Sequence, residues 1–145
     1  VVILDQITDS QNIGAIIRSS AAFGITKLIL PADNTPEENA AIAKAASGSL
    51  ELVQIVKVTN IKTTIEILKR KDFWIAGLDL DGKDNLLSLA EFNKIAIIIG
   101  SEGKGMRRLT TESCDFLIKI PISSKVESLN ASNAASIIFH AINLL

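Results

Sequence analysis

Cysteine and histidine are nearly absent from this chain of 145 residues: each occurs once, as Cys114 and His140. One cysteine excludes an internal disulfide and any multi-cysteine zinc site, and one histidine excludes every design that needs two imidazoles. Aromatics are also scarce, with five Phe, one Trp and no Tyr, which argues against a base-stacking platform for single strands. An excess of charge of either sign is missing, since fifteen Lys and Arg stand against sixteen Asp and Glu. A domain that grips nucleic acid through its whole surface carries a basic excess, because phosphate neutralisation dominates that affinity. Composition by itself therefore does not point to RNA. The longest strongly apolar run, Ile95 to Ile99, is far short of the ~18 residues of a membrane span. No signal-peptide pattern is present, so a reducing cytoplasm is the default expectation. The chain starts at Val1 without an initiator Met, as an excised domain would.

What is there in quantity is apolar: 48% of residues, too much for a disordered chain. The length suits one domain, taken here as residues 1–145, with no repeat, low-complexity segment or linker. Six short runs read as strands: Val1 to Leu4, Lys27 to Leu30, Val53 to Val58, Phe73 to Ala76, Ile95 to Ile99 and Phe116 to Ile120. Helical spacing separates them, as in Ile13, Ile16, Ile17 and Ala21, or Ile61, Ile65 and Leu68. Thr35-Pro36-Glu37-Glu38 reads as a cap, a first-turn proline and two acids opening an Ala-rich helix to about Ser47. Thr59 reads as the cap of the next helix, a short helix is expected around Met106 to Glu112, and Asn130 to Leu145 as the last. Strands that are apolar throughout and alternate with helices predict an α/β domain. Its sheet is mostly parallel and six-stranded, with helices on both faces.

Ligands of such sheets bind outside the carboxyl ends of the strands, and three polar or glycine-rich segments follow strands here. Asp5 to Arg18 places Asn12 at a helix start and Arg18 six residues on, with no acid at i±3 or i±4. These fit either a capping Asn and a solvated Arg or an Arg free to hold a phosphate or oxyanion. Gly100-Ser101-Glu102-Gly103-Lys104-Gly105-Met106 is neither a Walker A loop nor a dinucleotide fingerprint. Its glycines suit a tight turn or close backbone approach to a ligand. Ile120 to Ala134 is a polar loop ending in Ser128-Leu129-Asn130 at a helix start, consistent with capping or with a site.

Together the three segments resemble the motifs of the SpoU (TrmH-like) class of SPOUT RNA 2′-O-ribose methyltransferases. Asn12, Gly14 and Arg18 are similar to the first motif and Gly100-Ser101-Glu102-Gly103 to the second. Ile120-Pro121 followed by Glu127-Ser128-Leu129-Asn130-Ala131-Ser132 is similar to the third, the most specific. The match runs over essentially the whole chain in the right order. Ala43 to Gly48, Val58-Thr59-Asn60 and Met106 to Thr110 resemble the branch that methylates a guanosine in 23S rRNA. Ser10 stands where the family often has Pro, and Ala131 and Asn133 where it often has Val.

The resemblance implies a C-terminal deep trefoil knot, which general chain-topology rules would exclude. It also implies S-adenosylmethionine as methyl donor, RNA as partner (rRNA, with tRNA of the same class as the alternative), a homodimer, and neither metal nor membrane. A separate N-terminal RNA-binding domain, usual in the family, is not in this sequence. By the same resemblance Asn12, Arg18, Glu102, Ser128 and Asn130 match catalytic positions, while Leu78, Gly100, Ile120 and Leu129 match cofactor-binding ones. Arg18 would activate the ribose hydroxyl as an assisted base, or clamp the developing alkoxide, since a guanidinium stays protonated. A binding-only SPOUT-like module is the rival from another class.

Other candidates reduce to structure. Asp79 to Asp84 lacks the ligand spacing of a calcium loop, Cys114 reads as a small buried hydrophobe and His140 as a packed or surface residue. Lys69-Arg70-Lys71 closes a helix, where cations suit the dipole. A local basic face is expected from Arg18, Lys104, Arg107, Arg108 and Lys125, which lie in or beside the motifs.

Overall fold

Residues that are apolar at every position can be buried on both sides of a sheet, and that is where the strands form. The computed structural model describes residues 1–145 and contains β1 (Val2–Asp5), β2 (Lys27–Pro31), β3 (Gln54–Val58), β4 (Trp74–Leu78), β5 (Ile95–Gly100) and β6 (Phe116–Ile118). They form one sheet in the order β3-β2-β1-β5-β4-β6, with every neighbouring pair parallel. The helices are α1 (Ser10–Ala22), α2 (Ala40–Ala46), α3 (Ile61–Lys69), α4 (Arg108–Glu112) and α5 (Ala131–Ile142).

Side chains alternate across the pleat, and the core divides accordingly. Val2, Leu4, Ile97 and Ile99 pack with Ile13, Ile16 and Ile17 of α1, Ile42 of α2 and Ile138 and Phe139 of α5. Ile3, Ala96 and Ile98 point the other way and pack with Ile61, Ile65 and Leu68 of α3 and with Met106. Helices thus cover both faces. No helix is long and apolar enough to cross a membrane.

Helix starts differ from the sequence expectation. Asp9, not Asn12, caps α1, its side chain accepting the Asn12 N–H at 2.8 Å. The α2 helix opens at Ala40 under Asn39 rather than at Pro36 under Thr35. Asn39 accepts the Ile42 N–H at 3.0 Å and donates to Ser10 Oγ at 3.0 Å, while Glu37 is drawn to Lys57 at 2.8 Å. Asn60, not Thr59, caps α3. In each case two candidate caps lie within a few residues, and for α2 the contacts of Asn39 with Ser10 and of Glu37 with Lys57 choose between them. Two 3-10 turns, at Leu50–Leu52 and Leu86–Leu89, are too short to leave a periodic signal.

The connection leaving β4 does not go directly to β5. It first passes along the outer edge of β6, where Asp84 Oδ2 accepts the Leu117 N–H at 2.7 Å and the Asp84 N–H donates to the Leu117 carbonyl at 3.0 Å. Gly82 makes this approach possible, because a Cβ there would sit 2.4 Å from the Leu117 carbonyl oxygen. The chain then returns to β5 on the far side of β4. β6 therefore lies within the β4–β5 loop, with chain on both edges, as the expected knot requires.

Candidate active site

The carboxyl ends of β5, β4 and β6 open into a cavity of about 260 Å³. Leu78, Ile99, Ile118, Ile120, Ile122 and Leu129 form its apolar side; Asp79, Asp81, Ser101, Glu102, Lys104 and Ser128 form its polar side. Three acids against one cation make the polar side complementary to a positively charged group.

The glycine-rich segment is both the tight turn and the cavity wall. Gly103 and Gly105 adopt φ of +79° and +67°, a region open to Gly at little cost. The Ser101 N–H donates to the Gly105 carbonyl at 3.1 Å and the Gly105 N–H returns to the Ser101 carbonyl at 2.8 Å. The loop folds so closely onto the end of β5 that a Cβ at Gly100 would lie 2.2 Å from the Gly105 carbonyl carbon.

The expected sixth strand stops at Ile118, two residues early, because Pro121 has no N–H to continue the ladder. From Ile120 to Leu129 the only bond between backbone groups is Val126 N–H to the Ser123 carbonyl, at 3.0 Å. Backbone donors and acceptors beside the cavity are therefore left without partners inside the protein, although such groups are strongly driven to pair.

Asn130 caps α5. Its Oδ1 accepts from the Ser132 N–H at 2.9 Å and from Ser132 Oγ at 2.6 Å. Both bonds fall on the same oxygen, so the amide orientation is fixed and Nδ2 faces outward, 3.4 Å from Glu102 Oε2. Ser136 Oγ donates to the Ser132 carbonyl at 2.9 Å and lies 2.8 Å from Ser19 Oγ of α1. Since the Ser136 proton is committed, Ser19 is the donor of that pair. The network joins α1, α5 and the glycine loop.

Of the residues singled out from sequence, Leu78, Gly100, Ile120, Leu129, Glu102 and Ser128 line the cavity, and Asn130 touches it through Glu102. Asn12 and Arg18 do not line it. Asn12 lies in the first turn of α1, and Arg18 is exposed on the same helix without an ion pair. Gly14 serves packing: a Cβ there would meet Ala45 Cβ and the Ile42 carbonyl oxygen at 2.6 Å.

The expected basic face is smaller than the sequence implied. Arg107 is held by the fully buried carboxylate of Asp5, with Nη2 2.7 Å from Oδ1, and Arg108 pairs with Glu112 at 2.6 Å. Arg18, Lys104 and Lys125 keep unpaired cations. Sequence reasoning missed the Asp5–Arg107 pair, which spans 102 positions, and the cavity roles of Asp79, Asp81 and Lys104. The acids lie in a segment read as a solvated turn, and their position directly after β4 was the available signal.

The calcium-like segment is a turn at the cavity wall, and the remaining candidates are structural. Asp79 Oδ1 accepts the Asp81 N–H at 2.8 Å. Lys69 closes α3 and binds Asp115 at 2.6 Å. His140 is exposed and lies edge-on to Phe23, with centroids 5.8 Å apart. Burial, then the neighbouring Asp115 carboxylate, pushes the Cys114 thiol up to about 12.

Comparison with known proteins agrees with this arrangement. Residues 1–140 match the model of the SpoU rRNA Methylase family. A Staphylococcus aureus protein named as a TrmH family tRNA/rRNA methyltransferase is 41% identical over 142 residues, 98% of this chain and 57% of that protein. A Bacillus subtilis protein named in the same way, YacO, is 38% identical over 140 residues, 97% of this chain and 56% of that one. The chain thus spans little more than half the length of these relatives. Among solved structures, the SpoU methyltransferase AviRb from Streptomyces viridochromogenes, in complex with AdoMet, superposes with a TM-score of 0.90 at 26% identity, over 99% of this chain and 56% of that one. The A. aeolicus TrmH/SpoU tRNA modifying enzyme gives 0.90 at 25%, over 99% and 73%. The trefoil knot follows from this fold. The chain belongs to the SpoU rRNA Methylase family.

Proposed function

We propose that this domain transfers a methyl group from S-adenosylmethionine to a ribose 2′-hydroxyl of structured RNA, with a guanosine of 23S rRNA as target and a cytoplasmic site of action. The observation that carries this reading is the cavity at the carboxyl ends of β5, β4 and β6, where the second and third family motifs and the segment after β4 supply unpaired backbone groups, an apolar wall and an acid-rich wall. These residues fit the donor. Ile120 and Leu129 offer backbone groups without partners inside the protein, Gly100 lines the same wall, Leu78, Ile118 and Ile122 suit a flat heteroaromatic ring, and Asp79, Asp81 and Glu102 suit the cationic groups of the donor. When bound, S-adenosylmethionine supplies an electrophilic methyl group on a sulfonium.

The residues of the chain orient the acceptor and stabilise the charge that develops on its oxygen. Glu102 and Asn130 form the rim where an RNA ribose would meet the cavity, Asn130 presenting only N–H donors and Glu102 only acceptors. Ser128 offers a hydroxyl at the same rim. Arg18 stabilises the developing alkoxide or a neighbouring phosphate by charge, or acts as an assisted base that takes the hydroxyl proton. Asn12 orients the entry to α1. Because Arg18 and Asn12 stand outside the cavity of their own chain, the reading includes a homodimer in which a second copy completes the site. The exposed Ile137 on α5 supports such packing.

The test is methyl transfer by the full-length protein to rRNA and tRNA offered separately. Labelled methyl in rRNA supports the reading; labelled methyl in tRNA alone moves the target to tRNA. S-adenosylmethionine binding without transfer to either favours the binding-only module.

A further inference from the structure

Asp5 is fully buried at the end of β1 and lies outside the cavity described above, yet both of its carboxylate oxygens are bonded to Arg107. Its Oδ2 accepts the Arg107 backbone N–H at 2.8 Å, its Oδ1 accepts Arg107 Nε at 2.7 Å, and Nη2 stands 2.7 Å from the same Oδ1 as an ion pair. In the sheet Asp5 is also the register partner of Gly100. Gly100 and Arg107 are the two ends of the glycine loop, so one side chain and its own backbone hold both ends. The next residue adds a third tie: Gln6, strained into φ +63°, donates Nε2 to the Gly105 carbonyl at 3.3 Å.

We propose that Asp5 and Arg107 are positioning residues for the ligand cavity, a clamp that closes the Gly100–Met106 loop into its binding shape. The proposal rests on the functional reading above for the identity of the ligand, S-adenosylmethionine. Within the loop only the two Ser101–Gly105 backbone bonds, a weak Ser101 hydroxyl contact and the Lys104 N–H to Glu102 carbonyl bond hold the shape. Two glycines at positive φ leave the segment conformationally free. A buried carboxylate receiving charge-assisted bonds in a low-dielectric setting fixes its partner strongly. Arg107, although half-exposed, has Nε and Nη2 committed to Asp5.

The test compares wild type, Arg107→Ala, Arg107→Lys and Asp5→Asn by calorimetric titration with S-adenosylmethionine and by amide hydrogen exchange in the ligand-free protein. Arg107→Ala keeps the backbone bond to Asp5, and Arg107→Lys, which keeps a cation beside the buried carboxylate, carries the comparison if the Ala variant does not fold. The Ala variant is expected to weaken binding by about tenfold or more, the scale of a lost charge-assisted bond, and to speed exchange at Gly103 to Gly105 while β5 stays protected. Arg107→Lys restores part of the affinity, and Asp5→Asn, where it folds, repeats the Ala effect. A general loss of stability would speed exchange throughout instead. Unchanged affinity and unchanged loop exchange in Arg107→Ala overturn the clamp. Failure of wild type to bind overturns the functional reading, and the exchange comparison still decides whether the clamp exists.

Discussion

Asn130 and Glu102, 28 positions apart in sequence, meet at 3.4 Å with the orientation of the Asn130 amide already fixed by its duty as a helix cap. One side chain thus ends a loop, starts α5 and presents a donor to the rim of the cavity. Stability and chemistry share this residue, and substitution can separate them.

Asn130→Asp retains a good cap but replaces the outward N–H donor with a carboxylate oxygen facing Glu102. Thermal unfolding is expected to stay near wild type while methyl transfer is lost. Asn130→Ala removes both functions and costs about 1 kcal/mol in stability. Unfolding curves and transfer rates measured on the two variants check the separation.

Arg18→Ala should leave unfolding and S-adenosylmethionine affinity nearly unchanged, because the side chain is exposed and unpaired and does not line its own chain's cavity. Transfer to RNA is expected to vanish. Titration beside a transfer assay reads both quantities, and an affinity loss as large as the rate loss would contradict the assignment.

Gly100→Ala places a methyl group 2.2 Å from Gly105 backbone and 2.3 Å from the Met106 nitrogen. Backbone must move, at a cost of about 1–3 kcal/mol, and the loop no longer walls the cavity. Loss of S-adenosylmethionine binding exceeding the loss of stability is the expected pattern in paired titration and unfolding measurements.

Cys114 should be inert. Its thiol titrates near 12 in the folded state against an ordinary 9.0, mainly through burial. The folded protein therefore keeps a proton that the unfolded chain releases. The contribution is fully present below about pH 9 and lost as pH rises through the window from 9 to about 12. Alkylation at pH 8 should proceed only on unfolding, and chemical stability should fall across that alkaline window. Cys114→Ser should flatten part of the fall.

The strands were legible because a parallel sheet buried on both faces leaves continuous apolar runs, and Ile95 to Ile99 is the clearest. Caps were not, because Asp9 and Asn12, Thr35 and Asn39, or Thr59 and Asn60 are chemically equivalent candidates in one dimension. Only packing, such as Gly14 against Ala45, separates them. The cavity wall was legible in part: Leu78, Gly100, Ile120 and Leu129 stand at strand and helix ends where open sheets bind ligands. Asp79 and Asp81 share that location but carried no motif. The Asp5–Arg107 pair and the wrap of Asp84 round β6 join distant positions, and no local pattern announces such contacts.

The central claim is ribose methylation of RNA, and the most direct measurement follows labelled methyl from S-adenosylmethionine into rRNA with the full-length protein, then digests the product with alkali. A 2′-O-methyl group blocks cleavage at its own nucleotide, so label in an alkali-resistant dinucleotide, absent with Arg18→Ala, is the predicted result. Label released in mononucleotides, or no transfer to any RNA by protein that binds S-adenosylmethionine, would contradict the account.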